Sequence, residues 1–345
     1  MRTLLRPLLL LIAACAAGAA EPGDANAPGL GDVGAEGVSR EATRWPRSFL
    51  AGPGTGPALY LDESPQAPAI GYLSEGALVR LRAFPENGRV AVNVLGGMKV
   101  RAHLDARRLA LRVRSRGALA GTPIYFGPGD YVRVFGPDPQ PGLMRVEAQV
   151  DLGRGPEVTL PAFRGTFDEA SLSTEVPADV EALPEGTAMQ LPAGVAVPLY
   201  ASPSEVSAQL PALDPPLVVS VLRDRGRWKG VRVGVGPYLV GYIDTEATPL
   251  TPAEALPRRA TPAPTAGGVP RRIRGEDAGR ALLRIAAGTR VSHGEGRIVA
   301  ILQEAGFGRE WERFDDTNEV DVFLAVDDQV AVRGLVPASA VSPAP

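Results

Sequence analysis

The chain has 345 residues, of which 45% are hydrophobic and 22% charged, so it can bury the cores of two or three globular domains. Glycine (40 residues) and proline (34 residues) are abundant, which favours many turns and short strands over long helices. A formal net charge of −3 without a dense basic stripe argues against a nucleic-acid partner, because such binding depends on phosphate neutralisation.

The N-terminal segment has the pattern of an export signal. Arg2 and Arg6 precede an apolar run from Leu8 to Ala14, which is too short to cross a bilayer as a permanent helix. The run ends in Leu-Ile-Ala-Ala-Cys, with Cys15 last, and this resembles the lipobox of bacterial lipoproteins. The resemblance implies a signal peptide over residues 1–14, cleavage before Cys15 and attachment of lipid to its sulfur.

The lipid anchor competes with one alternative, an ordinary cleaved signal for which Ala17-Gly18-Ala19 supplies a cut site. Cys15 is the only cysteine, and a single cysteine in an exported protein cannot form an internal disulfide. We therefore favour lipidation, with the membrane as a partner through the anchor. In the resemblance, an Asp after the Cys implies retention in the inner membrane; Ala16 stands here, which favours the outer membrane, facing the periplasm or the surface.

Two stretches are expected to be extended connections. Residues 15–55 are rich in Gly, Ala, Pro and acidic residues and predict a flexible tether, because so few bulky apolar residues cannot offset the ordering entropy. Residues 251–270 predict a second linker, rich in Pro, Ala and Thr.

The remaining sequence divides into four blocks, at residues 56–114, 117–176, 193–250 and 275–342. The first three begin with an aliphatic residue followed by tyrosine, at Tyr60, Tyr125 and Tyr200, and continue into alternating apolar segments. Strict alternation indicates half-buried strands, and many short strands between turns are typical of small barrels or sandwiches. The sequence therefore predicts an all-β fold.

The third block carries the clearest family resemblance. Tyr200-Ala-Ser-Pro, then Val218 to Val221, then Gly-Arg-Trp-Lys-Gly around Trp228, and finally Val-Gly-Tyr-Ile around Tyr242 resemble, in this order, the bacterial SH3-like (Src-homology-3-like) domain. The first block follows the pattern more loosely, and the second and fourth follow it weakly. The resemblance implies three or four tandem SH3-like barrels.

One segment of the fourth block admits a helix. Between Asp277 and Ala287, the residues Ala281, Leu282 and Ile285 would share one helical face, although Gly279 weakens this interpretation.

The sequence offers little for catalysis. His103 and His293 are isolated, and we interpret both as strand or turn residues, because no nucleophile elbow accompanies them. With one cysteine and two separate histidines, no transition-metal site can be assembled, and no cofactor is expected. The acidic cluster from Asp315 to Asp321 lacks the spacing of a calcium loop, so we interpret it as a solvated turn.

The expected function is therefore that of a non-catalytic lipoprotein of the cell envelope, which binds or spaces peptidoglycan or a protein partner. In the SH3-like resemblance, ligand contacts fall on the loops and aromatic residues between the entry and the Trp strand. That set here is Tyr200, Ser202, Pro203, Arg227, Trp228 and Tyr242. Two alternatives stay open: Trp228 and Tyr242 could pack a barrel core, and the fourth block could be the catalytic module of an envelope hydrolase.

Overall fold

A computed structural model describes residues 45–52, 56–83, 88–150, 152, 162–175, 186–214, 217–256, 273, 279–294 and 296–344, which all belong to one unit of the chain. The structure is all-β, as the alternating sequence predicts. The predicted signal peptide, Cys15, and the predicted tether and linker at residues 15–44 and 257–270 lie outside the described residues.

The first block, which the structure extends to include residues 48–51, contains seven strands and one 3-10 turn. They are β1 (Ser48–Ala51), β2 (Ala58–Tyr60), β3 (Ala69–Leu73), β4 (Leu78–Leu81), β5 (Arg89–Val94), β6 (Met98–Asp105), the turn Ala106–Arg108 and β7 (Leu109–Val113). The second block continues with β8 (Gly117–Ala118), β9 (Ile124–Phe126), β10 (Tyr131–Pro137), β11 (Leu143–Ala148), β12 (Phe163–Asp168), the 3-10 turn Glu169–Ser171 and β13 (Leu172–Ser173).

The third block, which the structure extends by one strand on each side of residues 193–250, contains β14 (Thr187–Gln190), β15 (Val197–Tyr200), β16 (Gln209–Leu213), β17 (Val218–Arg225), β18 (Trp228–Val233), β19 (Tyr238–Asp244) and β20 (Thr251–Pro252). The fourth contains β21 (Leu282–Ile285), β22 (Arg290–His293), β23 (Arg297–Leu302), β24 (Gly306–Phe314), β25 (Glu319–Ala325), β26 (Val330–Pro337), the 3-10 turn Ala338–Ala340 and β27 (Val341–Pro343).

One pattern of antiparallel pairing recurs along the chain. In the first, third and fourth blocks the first strand pairs with both the fourth and the last: β1 with β4 and β7, β14 with β17 and β20, and β21 with β24 and β27. In the second block β7 takes this first place, since it pairs with β10 and β13. The strand that ends the first block therefore also begins the second.

The turn before the last strand also recurs, and its cause is local. The sixth strand of each of the first three blocks ends in an aspartate, at Asp105, Asp168 and Asp244, where the second block is counted from β7. Each carboxylate accepts a hydrogen bond from the backbone amide two residues later. Such a side-chain oxygen satisfies an amide that the turn leaves without a backbone acceptor.

The blocks do not follow one another as separate barrels. Strand β3 pairs with β26, and β23 pairs with β6, so strands of the first block form ladders with strands of the fourth. The strands β2, β3, β26, β22, β23 and β6 close a six-stranded barrel across this junction. Gly71 is required here, because a Cβ at that position would lie 2.2 Å from the carbonyl oxygen of Ala331.

Two boundaries and one element differ from the sequence predictions. Residues 48–51, assigned to the tether, form a strand in which Phe49 is fully buried; burial of such a side chain contributes about 2 kcal/mol. Residues 251–252, assigned to the linker, pair with β14. The possible helix over residues 277–287 is not formed where the structure describes this segment. Leu282–Ile285 form a strand that pairs with two others, β24 and β27. Packing of alternate side chains outweighs the helical spacing there.

Candidate functional site

Three aromatic side chains lie together on the outer surface of the third block. Leu199, Val231 and Ile243 belong to the hydrophobic core, whereas Tyr200 and Tyr242 occupy the alternate positions and are half-buried outside it. Trp228, at the start of β18, is also half-buried and outside the core cluster. The interpretation of Trp228 and Tyr242 as core residues therefore does not match their positions.

The cluster is held by register across three strands. Tyr200 pairs with Tyr242, and Tyr242 pairs in turn with Gly230. The rings of Tyr200 and Trp228 meet edge to face, with centroids 5.3 Å apart and planes inclined at 85°. A Cβ at Gly230 would lie 3.3 Å from Cε1 of Tyr242, so the glycine leaves room for that ring.

Arg227 links the aromatic cluster to three carboxylates. Its guanidinium carbon lies 5.4 Å from the Trp228 ring centre, and Nη2 donates to Oδ2 of Asp244 at 2.6 Å. It also donates to Glu205 and lies 3.6 Å from the Glu246 carboxylate. These hydrogen bonds, to Asp244 first and then Glu205, raise the pKa of Arg227 above its ordinary value, so its charge is permanent.

Asp244 depends on the same contact. Its burial alone would raise the pKa of its carboxyl group, but the hydrogen bonds from Arg227 and from the Glu246 and Ala247 amides outweigh this, and the pKa lies below the ordinary value. Asp244 is thus ionised at neutral pH.

Ser202 and Pro203 lie in the loop that follows Tyr200. The Ser202 amide donates to Oγ of Ser207 at 2.9 Å, and Ser202 itself is exposed while Pro203 is half-buried. Glu205, in the same loop, is the residue that contacts Arg227. The structure thus brings Tyr200, Arg227, Trp228 and Tyr242 into one cluster, with Ser202 and Pro203 in the loop beside it.

The first block has a related arrangement that the sequence analysis missed. The guanidinium carbon of Arg89 lies 3.7 Å from the Tyr60 ring centre. Arg89 also donates to carbonyl oxygens in the loop after Tyr60, at Asp62, Ser64 and Pro65. Arg89 begins β5, the strand that corresponds to β18, so it occupies the place of Trp228. The nearly equal spacing between Tyr60 and Arg89 (29 residues) and between Tyr200 and Trp228 (28 residues) is the signal that could have found it.

A third aromatic surface is formed by Trp311 in the fourth block, which is 40% exposed. The guanidinium carbons of Arg280 and Arg333 lie 3.6 Å and 4.2 Å from its ring centre. Arg333 also donates three hydrogen bonds to Asp321, the shortest at 2.7 Å.

Within the described parts of the chain, no three of the His, Cys, Asp and Glu side chains are close enough to hold a metal ion. In the fourth block, the Glu310 and Asp321 carboxylates are paired with Arg313 and Arg333. None of the described segments forms a helix with the length and apolar character needed to cross a bilayer.

Comparison with protein-family models gave no matching family, and a search of curated proteins gave no similar sequence.

Proposed function

We propose that this protein is a non-catalytic lipoprotein of the cell envelope, anchored through Cys15, whose SH3-like modules bind peptidoglycan or a protein partner. The recurring pairing of the first strand with the fourth and last strands supports the idea that the blocks are modules of one kind. The resemblance of the third block supports their assignment as SH3-like. The pattern around Cys15 supports the anchor.

One observation carries the binding role: Tyr200, Trp228 and Tyr242 share an outward face and lie outside the core. Aromatic side chains offer large contact areas with few rotatable bonds, so they contribute strongly to binding when a partner covers them. The loop with Ser202 and Pro203 adds polar groups at the edge of this face, and Arg227 adds a fixed charge.

The test is Tyr200→Ala in the full chain, with Tyr72→Ala as the matched control. Tyr72 is an exposed tyrosine of the first block, 40% accessible and outside the aromatic cluster. Loss of the edge-to-face contact with Trp228 should lower the free energy of unfolding by about 1 kcal/mol, which leaves the protein folded.

Retention on purified sacculi, and on a partner captured from envelope extracts, is then compared at equal protein concentration. We expect Tyr200→Ala to lose about tenfold in affinity on one of the two, while Tyr72→Ala binds as the wild type does. Equal retention by all three proteins, with Tyr200→Ala folded by circular dichroism, would remove the aromatic face from the proposal.

A further inference from the structure

Four basic side chains meet where the first and fourth blocks join. The Arg82 amide donates to the carbonyl oxygen of Ala91, and Ala91 pairs with His103, so Arg82 and His103 lie on one row across β5. Arg101 lies two residues before His103 and on the same outward face of β6. Arg297 begins β23, the strand of the fourth block that pairs with β6.

The charges of these groups act on one another, in agreement with this placement. Burial lowers the pKa of Arg82, and the charges of Arg101 and Arg297 lower it further. The pKa of His103 is lowered in the same way, first by burial and then by Arg82. Asp62 and Glu63 act on His103 in the opposite direction, but more weakly than these effects together. The junction therefore holds three permanent positive charges beside a histidine that is neutral at pH 7.

These groups have nitrogen atoms that the protein leaves without a hydrogen-bond partner. Nε of Arg82, Nε of Arg101 and Nδ1 of His103 are buried without a hydrogen-bond partner among the described residues. Within the same part of the chain, none of the three arginines forms an ion pair. The Asp62 carboxylate accepts instead from the Ser64 amide at 2.9 Å.

Buried, unpaired donors of this kind are costly, since they lose water without gaining a partner. Three other arginines, Arg227, Arg313 and Arg333, each have a carboxylate within 2.8 Å, whereas Arg82, Arg101 and Arg297 have none among the described residues. A guanidinium group presents a planar fork of donors that matches the oxygens of phosphate, and several such groups compensate more than one negative charge.

We propose that Arg82, Arg101 and Arg297, together with His103, form a binding site for an oxyanion of the phosphate class at the junction of the first and fourth blocks. Because the site takes residues from both blocks, its ligand also fastens the six-stranded barrel at this edge. The ligand is either a soluble phosphate or the phosphate of a lipid headgroup. The site is separate from the aromatic face of the third block and does not depend on the function proposed for it.

Isothermal titration calorimetry on the full chain tests the site with two probes, inorganic pyrophosphate and dihexanoyl phosphatidylglycerol below its micelle concentration, at low ionic strength. The variants are Arg101→Gln, which removes a half-buried donor, and Arg297→Gln, whose exposed side chain can be changed with little risk to folding. Arg284→Gln is the matched control, because Arg284 is an exposed arginine of β21 outside the junction.

We expect the wild type and Arg284→Gln to bind at least one probe, and Arg101→Gln and Arg297→Gln to bind it about tenfold more weakly. Binding of pyrophosphate alone identifies a soluble ligand, and binding of the lipid identifies a headgroup. The proposal is overturned if the wild type binds neither probe, or if Arg297→Gln binds as tightly as Arg284→Gln.

Discussion

Arg227 and Asp244 join the two loops that border the aromatic face. Glu205 lies in the loop after Tyr200, and Asp244 caps the turn at the end of β19, so one guanidinium group holds both in place. Lys229 and Asp224 add a second ion pair, 2.5 Å long, on the same hairpin. The face is thus bordered by fixed charges, which positions Trp228 without burying it.

The Arg227–Asp244 pair gives a pH-dependent prediction. Because the pKa of Asp244 is lower in the folded protein than in the unfolded chain, its ionised form stabilises the fold above the unfolded pKa. This contribution is lost as the pH falls through the folded value. Arg227→Gln should therefore destabilise the protein near pH 7, and the difference from wild type should shrink as the pH falls to about 3.

Urea denaturation at several pH values measures this difference. Arg225→Gln is the control, since Arg225 is exposed on the same hairpin and has no carboxylate partner among the described residues. It should show little change at any of these pH values. A loss of stability in Arg227→Gln that stays constant from pH 7 to about pH 3 would contradict the role assigned to Asp244.

Local alternation was sufficient to predict some strands. Val90, Val92 and Val94 alternate with polar or small residues, and the structure buries all three in β5. The same signal predicted the strand of the third block that contains Val231 and Val233, whereas the segments that carry Tyr200 and Tyr242 were singled out by the family resemblance. In these segments the burial pattern is a property of a few adjacent residues, so the sequence contains it.

Strands whose partners are distant in sequence were missed. β1 is only Ser48–Ala51, in a stretch otherwise rich in glycine and proline, and it is stabilised by β4 and β7. β21 has helical spacing but gains ladders from β24 and β27. Their state is decided by tertiary pairing, which outweighs local propensity. The anion site was missed for a related reason, since Arg297 and Arg101 meet only after the blocks have paired.

The strand pairing between the first and fourth blocks determines whether the parts of the molecule separate when the chain is cut. A chain of independent barrels would separate when a connection is cut, whereas the ladders β3–β26 and β23–β6 hold the N-terminal and C-terminal parts together. The hydrophobic core reflects this, because one cluster contains Leu73 and Val100 from the first block and Leu302 and Val332 from the fourth.

Limited proteolysis tests this arrangement. The sequence predicts that a protease cuts first within residues 257–270, for example trypsin after Arg258 or Arg259. The two fragments should then elute together from a size-exclusion column in native buffer and separate only in denaturant. Separate elution of a folded C-terminal fragment in native buffer would show that the blocks are independent.

We infer that the protein binds its partner through the aromatic face of the third block. Site-specific photocrosslinking tests it most directly, with benzoylphenylalanine at Tyr242 and, as control, at Tyr72 in the full chain. We expect irradiation of envelope extracts to link position 242 to peptidoglycan fragments or to one protein band, and position 72 to neither. No crosslink from position 242, or the same products from both positions, would contradict the claim.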